Sequence, residues 1–90
     1  MHTIIIWDEV CERMRVMERN LQNAMRQEKI VAQIQLNIEP PIIARNNLFG
    51  KTPVVQVDNG DYWSIEPNKI ISEKNFKDLL ILLRNCQIIQ

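Results

Sequence analysis

Apolar residues run without a break near the start of the chain and then recur at helical spacing. Residues 4–7 form a continuous, largely β-branched run, which predicts a strand covered on both faces and therefore a central one. From about Val10 to Glu28 apolar residues fall three or four positions apart, so we predict an amphipathic helix with one buried face. Its stripe consists of Val10, Met14, Met17, Leu21, Ala24 and Met25.

Alternation replaces helical spacing in the next segment. Across residues 30–38 apolar side chains occupy every second position, which predicts an edge strand with a largely polar outer face. Because a long helix separates it from the first strand, we expect the two strands to be parallel, with a right-handed crossover. Pro41 suits the first turn of a short helix that runs through Leu48 and closes at Gly50, although a loop with a single turn would show the same pattern.

A hairpin is predicted in the second half of the chain. The β-prone residues 53–57 and 62–65 flank Asn59 and Gly60. Asn-Gly between such runs favours a tight turn, because both residues can take positive φ. The two segments are therefore expected to be antiparallel neighbours.

The last predicted helix begins after Ser72, a good N-cap, and has Glu73 in its first turn. Its apolar stripe consists of Phe76, Leu79, Leu80 and Leu83. Cys86 lies three residues beyond Leu83 on the same stripe. We therefore expect Cys86 to be a small, buried and unreactive side chain near the end of this helix.

The elements follow the order β-α-β-α-β-β-α. A parallel pair, an antiparallel hairpin and a closing helix predict an α/β fold, with one mixed four-stranded sheet and helices on both faces. Ninety residues suffice for one domain with a modest core, and we assign residues 1–90 to it.

Charge and composition narrow the range of functions. Eleven basic and eleven acidic side chains cancel, which argues against binding to nucleic acid or to an anionic membrane. Residues 4–7 are too few for a signal-peptide core, and no run approaches about 20 apolar residues, so we expect a cytoplasmic protein. In a reducing cytosol Cys11 and Cys86 are expected to be free, although the sequence alone leaves a disulfide open.

Cys11 carries the main candidate chemistry. It falls where the first strand and an acidic break give way to the long helix, beside unpaired backbone N–H groups and the positive end of the helix dipole. Both features favour a thiolate over a thiol. The carboxylates of Asp8, Glu9 and Glu12 oppose this effect, and we expect Arg13 to offset part of it.

Other chemistries find little support in the sequence. His2 stands at the far end of the first strand, about 15 Å from the Cys11 turn, and so cannot serve as its base. One histidine and two cysteines at these spacings build no Cys-His pair or metal cluster, so we expect no metal and no cofactor. Cys11 and Met14 offer two sulfur ligands to Cu(I), an alternative that we rank well below a redox role.

Two stretches resemble thioredoxin. Residues 7–14 (WDEVCERM) match the strand-turn-helix motif W-x-x-W-C-G-P-C at Trp7, at Cys11 and in their place before the long helix. Residues 50–60 (GKTPVVQVDNG) resemble G-x-x-P-T followed by a strand and an Asn-Gly turn. Ser72 and residues 76–80 resemble the start of the last helix. The resemblance covers nearly the whole chain. The length of the chain is closer to that of small thioredoxin-like redox proteins and glutaredoxins than to that of thioredoxin itself.

The resemblance implies a role for particular residues. Cys11 matches the attacking cysteine, and Trp7 matches an aromatic residue near the site. Thr52 matches the position whose backbone pairs with an extended substrate, and Pro53 matches the cis-proline packed against the cysteine turn. Met14 takes the place of the resolving cysteine.

Several residues of this chain differ from the family's motifs, and these differences leave two functional hypotheses. Glu12 and Arg13 replace Gly-Pro, Val10 replaces an exposed Trp, and residues 61–63 lack the paired glycines that glutaredoxins use around glutathione. Residues 11–14 also differ from the C-G-F-S motif of cluster-binding glutaredoxins. The first hypothesis is a monothiol oxidoreductase in which an external protein or low-molecular-weight thiol resolves a mixed disulfide on Cys11. The second is a redox-inactive binding module that holds a partner strand or forms a homodimer.

Overall fold

The computed structural model describes residues 2–89 as an α/β fold with seven elements. These are β1 (Thr3–Trp7), α1 (Cys11–Glu28), β2 (Gln33–Asn37), α2 (Pro40–Arg45), β3 (Val54–Val57), β4 (Tyr62–Trp63) and α3 (Glu73–Asn85). Their order is the predicted one. The mixed four-stranded sheet is also confirmed.

The strands lie in the order β2-β1-β3-β4. β1 pairs parallel with β2, and Ile6 is opposite Leu36; on its other side β1 pairs antiparallel with β3, and Ile6 is opposite Val55. β3 and β4 are antiparallel. The predictions of a central first strand, a parallel edge strand and an antiparallel hairpin are therefore confirmed.

The buried residues form two separate clusters. The larger one contains Ile4 and Ile6 of β1 with the stripes of α1 and α3, including Met17 and Phe76, both 0% exposed. The smaller one contains Trp7 with Ile43, Leu48 and Val54. Successive strand residues point to opposite faces, so β1 contributes alternate side chains to the two clusters. This alternation explains why its sequence shows no polar positions.

Several predicted boundaries shift. α2 begins at Pro40 instead of Pro41 and ends at Arg45, so it does not reach Leu48 as predicted, and β4 contains two residues instead of four. In the hairpin, Asp58 takes the positive φ of 54° that we had expected at Asn59 and Gly60. The Gly60 N–H donates to the Val57 carbonyl at 3.0 Å. The turn therefore starts one residue earlier than the Asn-Gly signal indicates.

The prediction that Cys86 is buried is wrong, because Cys86 is exposed. α3 ends at Asn85, and Gln87 takes a left-handed φ of 61°, which turns the chain away from the helical path. The Ile88 N–H then donates to the Leu83 carbonyl at 2.9 Å. Ile89, 2% exposed, fills the place in the core that the helical spacing assigned to Cys86.

Candidate functional site around Cys11

Cys11 is the first residue of α1, and its side chain is exposed. The helix has Val10 as its N-cap, which has no side-chain oxygen and makes no capping hydrogen bond. The first helical bond is donated by the Met14 N–H to the Val10 carbonyl at 3.0 Å. The N–H groups of the first turn are therefore not taken up by a side-chain cap, so they can stabilise negative charge on a nearby sulfur.

A buried ion pair lies directly beside this turn. The Asp8 side chain is 0% exposed, and its Oδ2 and Oδ1 accept from Arg13 Nε at 2.6 Å and from the second guanidinium nitrogen at 2.8 Å. The hydrogen bond to Asp8 raises the pKa of Arg13 above its ordinary value, and the negative charge of Asp8 acts in the same direction. Arg13 therefore neutralises Asp8, which is one of the three carboxylates whose effect we expected Arg13 to offset in part.

The predicted cis-proline segment contacts the same turn. The Thr52–Pro53 peptide bond is cis, and both residues are buried. The Thr52 hydroxyl donates to Glu9 Oε2 at 2.7 Å. The structure thus joins Thr52 to the turn that precedes Cys11.

The Thr52 carbonyl is already engaged within the chain. It accepts from the Asn68 N–H at 2.9 Å, and Asn68 has a left-handed φ of 61°. In the resemblance, this backbone position pairs with an extended substrate. Here one of its two hydrogen-bonding groups is satisfied by the loop between β4 and α3.

Trp7 belongs to the core. It is 7% exposed, packs in the smaller cluster, and meets Tyr62 edge-on with ring centroids 6.4 Å apart. Its buried indole N–H has no hydrogen-bond partner among the described residues. The resemblance implied an aromatic residue near the site at Trp7, and its contacts with Ile43, Leu48 and Val54 make it a packing residue on one face of the sheet.

A shallow groove of about 220 Å³ opens at Cys11. We call it the Cys11 groove; it is lined by Cys11, Met14, Arg15, Leu36 and Ile38. Of these lining residues, Met14 is buried, with 2% of its surface exposed, whereas Ile38 is 39% exposed. The groove therefore combines a thiol, apolar surface and one cation.

The sequence pattern did not identify Arg15, Leu36 and Ile38 as groove residues. Leu36 and Ile38 reach the site because β2 is parallel to β1, which brings its carboxyl end next to the start of α1. The register sets Trp7 opposite Asn37, so residues 36–38 lie level with the Cys11 turn. The predicted parallel pairing contained this signal, since parallel strands end at the same edge of a sheet.

Cys86 lies at the other end of α1. Arg84, two residues before it, donates to the Glu28 carbonyl at 3.0 Å and pairs with the Glu28 carboxylate at 2.8 Å. Glu28 ends α1, seventeen residues after Cys11, which corresponds to about 25 Å along a helix. The two thiols are therefore too far apart to form a disulfide in the folded chain.

The remaining ionisable groups lie elsewhere. His2 Nδ1 and Asp58 Oδ2 are 2.6 Å apart at the end of β1 remote from Cys11, so His2 does not reach the thiol. Within residues 2–89, no three His, Cys, Asp or Glu side chains gather as a metal site. None of the helices in that range is both long and apolar enough to cross a bilayer.

Comparison with known proteins assigns no family. No protein-family model matches the sequence, and no curated protein matches it. A function for the chain must therefore be inferred from the geometry around Cys11.

Proposed function

We propose that this chain is a thioredoxin-like monothiol protein that carries out thiol–disulfide exchange through Cys11. The observation that carries the proposal is the exposed thiol at the uncapped start of an 18-residue helix, on the rim of the Cys11 groove. The uncapped N–H groups at the helix start are placed to stabilise negative charge on a nearby sulfur, and the groove offers apolar surface to a substrate beside it.

The thioredoxin-like arrangement, with helices on both faces of the sheet, is part of this proposal. It is supported by the two core clusters, because α1 and α3 pack with Ile4 and Ile6 while Ile43 of α2 packs with Trp7. It is also supported by the hydrogen bond from Thr52 to Glu9, which joins the proline segment to the cysteine turn.

The reaction proceeds by two exchange steps. The Cys11 thiolate attacks one sulfur of a disulfide R–S–S–R′, so that a Cys11–S–S–R bond forms and R′–S⁻ leaves. An external thiolate R″–S⁻ then attacks the sulfur of R, which forms R–S–S–R″ and returns the Cys11 thiolate. The external thiol is required because Met14 has no thiol and Cys86 lies at the far end of α1.

A redox-inactive binding module is the second candidate. It is favoured by a second, largely apolar groove of about 190 Å³ between the β3–β4 hairpin and α3. Leu82 and Ile88 on its rim are 53% and 47% exposed, and neither cysteine lines it. In this candidate the second groove carries the function, and the chemistry of Cys11 is incidental.

Disulfide exchange assayed with three proteins separates the candidates. Each is incubated with a chromogenic aromatic disulfide and a limiting aliphatic thiol, and release of the aromatic thiol is followed against a protein-free reaction. We expect the wild type and Cys86→Ser to sustain equal rates of release, and Cys11→Ser to release only about the one equivalent that the exposed Cys86 thiol supplies. Equal rates for Cys11→Ser and the wild type would reject exchange through Cys11 and leave the binding module.

A further inference from the structure

Asp8 is the most deeply buried charged side chain near the site. It is 0% exposed and lies three residues before Cys11. Burial of a carboxylate is unfavourable unless it is paired and hydrogen-bonded. The bidentate contact with Arg13 meets this requirement, and Arg13 itself is largely buried, with its side chain 12% exposed.

Asp8 also holds the backbone on both sides of the turn. Its Oδ1 accepts from the Val10 N–H at 3.1 Å, and its own N–H donates to the Asn37 carbonyl at 3.1 Å. Val10 is the N-cap of α1, and Asn37 is the last residue of β2. One residue therefore connects the end of β1, the end of β2 and the start of the helix that carries Cys11.

We propose that Asp8 and Arg13 are positioning residues for Cys11: Asp8 fixes the start of α1, and Arg13 cancels the carboxylate charge that would otherwise oppose the thiolate. This inference rests on the proposed function, because it assigns a purpose to thiolate formation at Cys11. Neither side chain is among those lining the Cys11 groove, so both act through the helix start.

Three other charged side chains lie close to the thiol in sequence, and the negative charge of one of them, Glu9, also raises the pKa of Arg13. Glu12 and Arg15 are exposed on α1, and Glu9 accepts the Thr52 hydroxyl. The β2 side of the groove is apolar. Asp8 is therefore the buried carboxylate at the helix start, where solvent screens its charge least, and Arg13 is the cation that compensates it.

Charge-changing variants test the inference through the sign of their effects. In a Cys86→Ser background, alkylation of Cys11 by iodoacetamide is measured at pH 7 and at pH 9.5, and the ratio of the two rates reports the thiolate present at pH 7. The variants are Asp8→Asn, Arg13→Met and the double variant. Asn keeps an oxygen for the Val10 N–H, so the turn retains its acceptor.

We expect Asp8→Asn to raise the ratio by about two- to fivefold, since it leaves Arg13 positive, and Arg13→Met to lower it by a similar factor. The double variant should return to within about twofold of the starting protein. Arg15→Met, which removes an exposed cation from the same helix, should lower the ratio less than Arg13→Met.

Changes in one direction for all three variants, or a double variant that does not return, would overturn the inference. If Arg13→Met does not fold, the rise in Asp8→Asn and the return in the double variant decide the question alone. The exchange assay is run on the same wild-type sample. Failure of exchange rejects the proposed function, whereas the alkylation pattern still decides whether the ion pair controls Cys11.

Discussion

Cys11 and Cys86 are both free and exposed, yet they occupy opposite ends of helices. Cys11 is the first residue of α1, and Cys86 is the C-cap of α3. Helix N-termini favour negative charge and C-termini disfavour it. Exposure alone therefore does not distinguish the two thiols, whereas their positions on the helices do.

The surroundings of the two thiols differ as much as their helix positions. Cys11 adjoins a buried ion pair and a groove, while the ion pair nearest to Cys86 in sequence joins a partly exposed Arg84 to Glu28, whose side chain is 13% exposed. The Arg84 side chain is 41% exposed. A buried ion pair therefore lies beside Cys11, whereas the ion pair near Cys86 is partly exposed to solvent.

The largest expected difference between the two regions is in stability. Arg13→Met leaves the buried Asp8 carboxylate unpaired, and we expect the free energy of unfolding to fall by about 3–5 kcal/mol. Arg84→Met, the matched change at the Cys86 end, should cost less, about 1 kcal/mol, because the Arg84 side chain is 41% exposed and water can solvate the Glu28 carboxylate that it leaves. Urea denaturation followed by circular dichroism measures both. Equal losses would show that the two ion pairs do not differ as their burial indicates.

The end of α3 offers the next effect. Ile89→Ala removes a side chain that is 2% exposed, so we expect a loss of about 2–4 kcal/mol in the free energy of unfolding. Cys86→Ser should change it by about 0.5 kcal/mol or less, because Cys86 is exposed. A larger loss of stability for Cys86→Ser than for Ile89→Ala would instead support the buried Cys86 that helical spacing predicted.

Met14→Cys tests whether the Cys11 region can regain a dithiol. Residues three apart share a helix face, so the introduced thiol should form an internal disulfide with Cys11 under mild oxidant. Loss of the buried Met14 side chain should cost about 1–3 kcal/mol in the reduced protein. Mass spectrometry after oxidation detects the bridge, and Cys11→Ser with Met14→Cys is the control. Two free thiols in a folded, oxidised variant would contradict the shared geometry.

The smallest expected effect lies at the end of β1 remote from Cys11. The hydrogen bond with His2, and then that from the Thr3 N–H, lowers the pKa of Asp58 below its ordinary value of 3.8. A lowered folded-state pKa gives stability that is present above the unfolded-state pKa and is lost as pH falls through the folded-state pKa.

Asp58→Asn should therefore destabilise the protein at pH 6, and its difference from the wild type should shrink as pH falls below about 4. Thermal melts between pH 2 and pH 6 measure this difference. Asp61 lies in the same exposed loop, and its side chain makes no hydrogen bond within the described residues. The control variant Asp61→Asn should therefore show no such trend. A constant difference across this range for Asp58→Asn would contradict the linkage.

Local signals in the sequence predicted most of the fold. The helical stripe of α1 identified the side chains that meet the core except at Val10, which is the N-cap and is exposed. Ser72 capped α3 as expected: its hydroxyl accepts from the Asn75 N–H at 3.1 Å. Cys86 was misplaced because helical spacing does not reveal where a helix ends. The left-handed φ of Gln87 decides that, and glutamine carries little signal for it.

The site was only partly predictable for a related reason. Cys11 and its helix start are adjacent in sequence, so the pattern identified them. The buried pairing of Asp8 with Arg13 depends on which way two side chains turn, and the groove depends on the register of β2. Charge counting predicted that Arg13 offsets part of the negative charge near Cys11, but it did not identify Asp8 as the buried carboxylate with which Arg13 pairs.

The most direct test of the account compares the two thiols in one protein. The wild type is alkylated at pH 7 with limiting iodoacetamide, and peptide mass spectrometry gives the ratio of rates at Cys11 and Cys86, both in native buffer and in 8 M urea. In native buffer we expect Cys11 to be alkylated about three- to thirtyfold faster than Cys86, because the two thiols lie at opposite ends of helix dipoles. In urea, where the helices are lost, we expect a ratio near one. A native ratio equal to the denatured one, or one that favours Cys86, would contradict the account.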